Sequence, residues 1–103
     1  MRQALRFMKA NFGQSIGVEA IARAAGISRR TLYQLFETEF GETPANRLIT
    51  FRLDEARRLL GDPDAKIVAI AESCGFGTHR TLDRCFRRAE GVSPAAWRRA
   101  EQQ

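Results

Sequence analysis

The chain repeats its own apolar skeleton. Ile21-Ala22 is followed by Gly26-Ile27, Leu32, Phe36, Gly41 and Pro44, and Ile70-Ala71 by Gly75-Phe76, Leu82, Phe86, Gly91 and Pro94. The offset is 49 residues through the first glycine and the residue after it, and 50 from there on, so the second copy carries one extra residue just past its turn. Each copy reads as a helix, a Gly-containing turn, a second helix and a Gly-x-x-Pro exit, the layout of a helix-turn-helix unit. The copies keep the apolar positions and change nearly every outward one. Two such units in one small basic chain point to a protein that reads two neighbouring stretches of duplex DNA, different half-sequences in a fixed order.

Apolar residues recur at intervals of three or four almost throughout and no stretch alternates at period two, which predicts an all-α chain of seven short helices. Leu5, Met8 and Phe12 mark the inner stripe of the first, ended by Gly13. Val18, Ile21, Ala22 and Ala25 form the second, stopped by Gly26. Ser28 is a good N-cap for the third, with Leu32, Leu35, Phe36 and Phe40 inside. Thr43-Pro44 opens a longer fourth helix, Thr as cap and Pro at the first helical position. Leu48, Leu53, Ala56, Leu59 and Leu60 line it, and Gly61-Asp62-Pro63 terminates it. At about 16 residues it spans ~24 Å, long enough to hold two lobes apart. Ile67, Ile70 and Ala71 mark the fifth helix, broken at Gly75-Phe76-Gly77; Thr78 caps the sixth, with Leu82, Cys85 and Phe86 inside; Ser93-Pro94 starts the seventh, which contains Trp97. The expected architecture is two homeodomain-like helix-turn-helix lobes, about 1–43 and about 64–103, joined by a linker helix at about 44–60.

Net charge is +5 and the pI about 10.2, which favours a polyanionic partner. All but Lys9 and Lys66 of the 17 basic residues are Arg, whose planar fork suits phosphate and guanine, although an arginine-favouring genome accounts for part of this. Residues 1–52 carry 8 basic and 4 acidic side chains and residues 53–103 carry 9 and 8, with local clustering at Arg80, Arg84, Arg87 and Arg88. No apolar run approaches the ~20 residues of a bilayer span, and the first residues lack the apolar core of a secretory signal. The expected compartment is the cytoplasm, in association with the nucleoid. Cys74 and Cys85 read as reduced, small hydrophobes. Adding His79 would make only three metal ligands at a spacing unlike zinc patterns, so no metal or cofactor is expected. With one His, no nucleophile elbow and no phosphate-cradling Gly-rich loop, nothing in the chain supports catalysis.

A helix-turn-helix places its second helix in the major groove. With the inner positions removed, the third helix leaves Arg29, Arg30, Tyr33, Gln34 and Glu37 outside, and the sixth leaves His79, Arg80, Thr81, Asp83, Arg84 and Arg87. Arg can fork onto guanine, Gln can pair with adenine, and a Thr methyl can meet thymine. The expected base readers are Arg30, Tyr33, Gln34, His79, Arg80, Thr81 and Arg84. The expected phosphate contacts are Arg29, Arg87 and the caps Ser28 and Thr78, which lie where helix N-termini meet phosphates. Asp83 is awkward beside DNA; a pair with Arg87 four residues on, or with Arg80 three back, is its expected role.

The order Ile21-Ala22…Gly26-x-Ser28-x-x-x-Leu32-x-x-x-Phe36…Gly41-x-x-Pro44, then Arg52-x-x-x-Ala56-x-x-Leu59-Leu60, resembles the DNA-binding domain of the AraC/XylS transcription regulators. The second half extends the resemblance through Ile67-x-x-Ile70-Ala71-x-x-x-Gly75-Phe76, Leu82-x-Arg84-x-Phe86, Gly91-x-x-Pro94 and Trp97-Arg98. It covers essentially the whole chain. It implies two lobes that insert their second helices into successive major-groove segments about one DNA turn apart, ~34 Å. The family's base-reading positions fall at Arg30, Tyr33 and Gln34, and at His79, Arg80, Thr81 and Arg84. The resemblance also implies a bacterial activator that contacts RNA polymerase, and an effector-binding or dimerisation domain absent from this chain, which reads as the excised DNA-binding part of a longer protein. Departures are Thr78, where a short acidic or polar residue is common, and Leu82, where an aromatic is common. The rival reading is a helical protein-interaction module without DNA binding, favoured by Asp83 and Glu37 on the reading faces and by the near-neutral second half.

Overall fold

The computed structural model describes residues 1–102. It contains seven helices and, among the described residues, no strand: α1 (Arg2–Asn11), α2 (Val18–Ala25), α3 (Arg29–Phe40), α4 (Pro44–Leu60), α5 (Ile67–Ser73), α6 (His79–Glu90) and α7 (Pro94–Glu101). The chain forms two compact units, Met1–Phe51 and Arg52–Gln103, and the division falls inside α4.

In the first unit Ala4 and Met8 of α1 pack with Ile21 and Ala22 of α2, Leu32 and Phe36 of α3, and Leu48 of α4. Leu5 and Phe12, expected at the centre of the α1 stripe, are only half-buried. Ala4 and Met8 carry the inward line of α1 at helical spacing, which leaves Leu5 one position off it, while Phe12, four residues past Met8, is the C-cap beyond the helix end. Leu35, Phe40 and Cys85 are likewise half-buried flanks rather than core.

The turns explain the glycines. Gly26 follows α2 at φ 70°, and the Ile27 N–H donates to the Ala22 carbonyl at 3.1 Å; after α5 the Phe76 N–H donates to Ala71 at 2.9 Å, beyond Gly75 at φ 90°. Both are the left-handed exit that spares a helix its last carbonyls. The extra residue of the second copy is Gly77, at φ 83°, whose N–H also reaches the Ala71 carbonyl at 3.3 Å. Its positive φ lets the chain absorb one more residue before Thr78 without displacing α6 from its role.

The repeat extends beyond the stretch that the sequence displays. Met1, Ala4 and Met8 recur as Leu53, Ala56 and Leu60, at an offset of 52. The second half of α4 therefore opens the second unit as α1 opens the first, and α7 closes the second unit as the first half of α4 closes the first. Along 31–40 and 81–90 the succession of buried, half-buried and exposed positions is the same. Phe36 and Phe86, both at 0% exposure, are the largest fully buried side chains of their units.

Where each unit closes, charge and apolar bulk change places. Arg47 pairs with Glu42 at 2.6 Å and lies 4.3 Å from the Phe40 ring centroid, while Leu48 is buried. Fifty residues later Trp97 meets Phe86 edge-on at 5.7 Å, and it is Arg98 that turns inward. Arg98 donates through Nε to the Leu60 carbonyl at 3.1 Å and through Nη2 to Ala65 at 2.7 Å. It thereby satisfies an orphan carbonyl at the end of α4 and pins the turn that follows.

Candidate nucleic-acid interface

Each unit presents an outward face on the second helix of its helix-turn-helix, α3 in one and α6 in the other, and both helices start alike. Ser28 Oγ accepts from the Thr31 N–H at 3.1 Å and its hydroxyl lies 3.0 Å from Thr31 Oγ1; Thr78 and Thr81 repeat both distances. These caps fix where α3 and α6 begin, and so which residues occupy the first exposed turn. The side chains of Ser28, Thr78 and Thr81 are thus engaged with their own helices, and Thr81, expected at a base edge, is half-buried. Thr31 is its counterpart in the first unit, at the matching spacing of Ser28-x-x-Thr31 and Thr78-x-x-Thr81.

The first turns hold Arg29 and Arg30 in α3 and His79 and Arg80 in α6, all exposed, and neither turn contains an acid. A helix N-terminus already carries partial positive charge, so arginines there oppose the helix's own preference. The opposition makes sense if an anion is to be met there. In α3 the acids Glu37 and Glu39 lie at the far end, which also runs against the dipole and keeps the positive potential at the start.

Arg30 and Gln34 on α3, and His79, Arg80 and Arg84 on α6, are exposed and have no side-chain hydrogen bond or ion pair among the described residues. Other members of the expected set are tethered. The Arg29 guanidinium lies 5.8 Å from the Tyr33 ring centroid and 4.0 Å from Glu19 of α2, and Tyr33 is half-buried. Arg87 donates through Nε to Asp83 at 2.7 Å, the expected pairing for that carboxylate. Arg88, exposed in the last turn of α6, belongs to the same positive face, though only its place in the arginine cluster marked it in the sequence.

Neither cysteine is in a disulfide. Burial pushes the fully enclosed Cys74 thiol up to about 11. Among the described residues no three His, Cys, Asp or Glu side chains converge on a point that could hold a metal, and no helix is long and apolar enough to cross a membrane.

Residues 21–100 match a family model described as a helix-turn-helix domain. The chain is 40% identical over 80 residues to the HTH-type transcriptional regulator Rv1931c of Mycobacterium tuberculosis, across 78% of this chain and 31% of that protein. It is 33% identical over 94 residues to the HTH-type transcriptional activator RhaS of Salmonella schwarzengrund, across 91% of this chain and 34% of that protein. The fold also matches the crystal structure of the DNA-binding domain of AdpA, a global transcriptional factor, in complex with a target DNA. The TM-score is 0.89 and the identity 35%, over 96% of this chain and 89% of that one. The chain spans about a third of the length of the curated relatives it matches.

Proposed function

The chain belongs to the AraC/XylS family of helix-turn-helix DNA-binding domains, and we propose that it binds double-stranded DNA sequence-specifically to regulate transcription. It presents α3 and α6 to adjacent major-groove segments. The observation that carries this reading is the pair of exposed, acid-free first turns, each with an arginine that has no ion pair among the described residues, on a helix capped the same way. Arg30, Tyr33 and Gln34 read one half-sequence, and His79, Arg80 and Arg84 the other. Thr81 offers its methyl group, since its hydroxyl is taken up by the cap. Arg29, Arg87, Ser28 and Thr78 face phosphates.

Because the outward residues of the two helices differ, the site is an ordered pair of unlike half-sequences rather than a palindrome. Activation through contact with RNA polymerase, in a cytoplasmic, nucleoid-associated protein with an effector-binding domain elsewhere in its length, completes the reading. Its support is the resemblance to activators such as RhaS.

Arg30→Ala and Arg84→Ala should each weaken a site selected from random duplexes by ~1–3 kcal/mol while leaving random duplex less affected. Equal losses on both DNAs would remove the base-reading assignment. The rival, a protein-interaction module, requires that the wild type bind no random duplex even at low salt, where phosphate contacts are strongest.

A further inference from the structure

We infer that Asp83 is a positioning residue of the second reading helix: its carboxylate holds Arg87 so that the terminal guanidinium nitrogens are offered to a DNA phosphate. The inference rests on the duplex-binding reading above. An acid on a face that meets a polyanion should repel it, and Asp83 is the one acidic side chain among the outward positions of α6 before its last residue, Glu90. The geometry gives it a different part. Arg87 reaches Asp83 Oδ2 with Nε alone, at 2.7 Å, and keeps 59% of its side chain exposed while Asp83 keeps 31%.

The contrast with Arg58 shows why this matters. Arg58 meets Glu55 with both Nε and Nη2, so its side-on fork is occupied and Nη1 is its one nitrogen with no hydrogen bond among the described residues. Arg87 is held by its inner nitrogen only, and its terminal nitrogens make no other hydrogen bond among the described residues. A long side chain normally loses rotamer freedom when it binds. Here part of that loss is incurred in the free protein, through an acid-before-base pair at the favourable i, i+4 spacing. The first unit has no such device: Tyr33 stands where Asp83 does, and Glu37 where Arg87 does.

The sign of one substitution separates positioning from repulsion. Affinities would be measured across a salt series for a duplex selected by the wild-type protein and for random duplex, with helical content checked by circular dichroism. Asp83→Ala should weaken the selected duplex ~3- to 10-fold, although it removes a negative charge. It should also lower the slope of log affinity against log salt by about one phosphate contact. Asp83→Glu, which can re-form the pair, should recover most of the loss. Arg87→Ala should reproduce the loss, and adding Asp83→Ala to it should cost nothing more. Unchanged or tighter binding by Asp83→Ala, or additive losses in the double variant, would overturn the inference. A wild-type protein that binds neither duplex would instead overturn the DNA-binding reading, and this one with it.

Discussion

At the point where each unit closes over its second helix, the first uses Arg47 and Leu48 and the second uses Trp97 and Arg98. In the first, the buried member is the aliphatic one, and the arginine lies over an aromatic ring with a carboxylate partner. In the second, the aromatic meets Phe86 and the arginine turns inward to two carbonyls. The same backbone accepts either arrangement because the helix start, set by Thr43-Pro44 or Ser93-Pro94, fixes where the two positions point. Thr43 Oγ1 accepts from the Asn46 N–H and Ser93 Oγ from the Ala96 N–H, both at 3.1 Å. What differs is whether charge is met by a side chain or by backbone. Arg98 has become part of its unit's main-chain hydrogen bonding, whereas Arg47 remains a side-chain partner.

The comparison can be broken most severely at its centres. Phe36→Ala and Phe86→Ala should each cost ~3–5 kcal/mol, since both rings are fully enclosed and leave a cavity. Denaturant unfolding followed by NMR should show each loss first in its own unit. A change that melts both units equally would mean that the division within α4 has no energetic counterpart.

Arg98→Ala comes next, at ~1–3 kcal/mol, because it strands two carbonyls. Hydrogen exchange should rise around residues 60–66 and stay unchanged in α1 to α3.

Gly77→Ala tests the extra residue. At φ 83° an alanine pays ~1–2 kcal/mol in backbone strain even though no atom blocks its Cβ. A thermal melt showing no loss would place the strain elsewhere.

The smallest effects belong to the caps. Ser28→Ala and Thr78→Ala should each cost ~1 kcal/mol, and by similar amounts, because their hydrogen-bond geometries coincide. Unequal losses in thermal melts would show that the two units load their caps differently.

Much of this architecture was legible because the signals that carry it are local. Gly26, Gly41, Gly75 and Gly91, the caps Ser28, Thr78 and Ser93, and the prolines Pro44 and Pro94 each specify a backbone event within a few residues. The unit boundary was harder. The sequence marks α4 as one uninterrupted helix, and nothing in it announces that Leu53, Ala56 and Leu60 repeat Met1, Ala4 and Met8, since beyond one shared alanine only spacing and apolarity recur. The burial of Ala4 over Leu5 was equally hidden, because periodicity finds a stripe more easily than its axis. On the candidate interface, the exposure of Arg30, Gln34, His79, Arg80 and Arg84 follows from the helical pattern, whereas Tyr33 and Thr81 are half-buried. Tethering did not: whether Arg87 reaches Asp83 through one nitrogen or two depends on rotamers that residue types alone leave open.

The matching burial along 31–40 and 81–90 has a consequence for how such a protein changes over generations. Enclosed positions hold the fold, and on the reading proposed above the outward ones between them hold the preference for sequence. On the proposed reading, mutations at Arg30, Gln34, Arg80 or Arg84, all exposed, are therefore visible to the operator and almost invisible to stability. The preference of either half can drift, be selected or be exchanged between copies while the scaffold stays under its own, separate constraint.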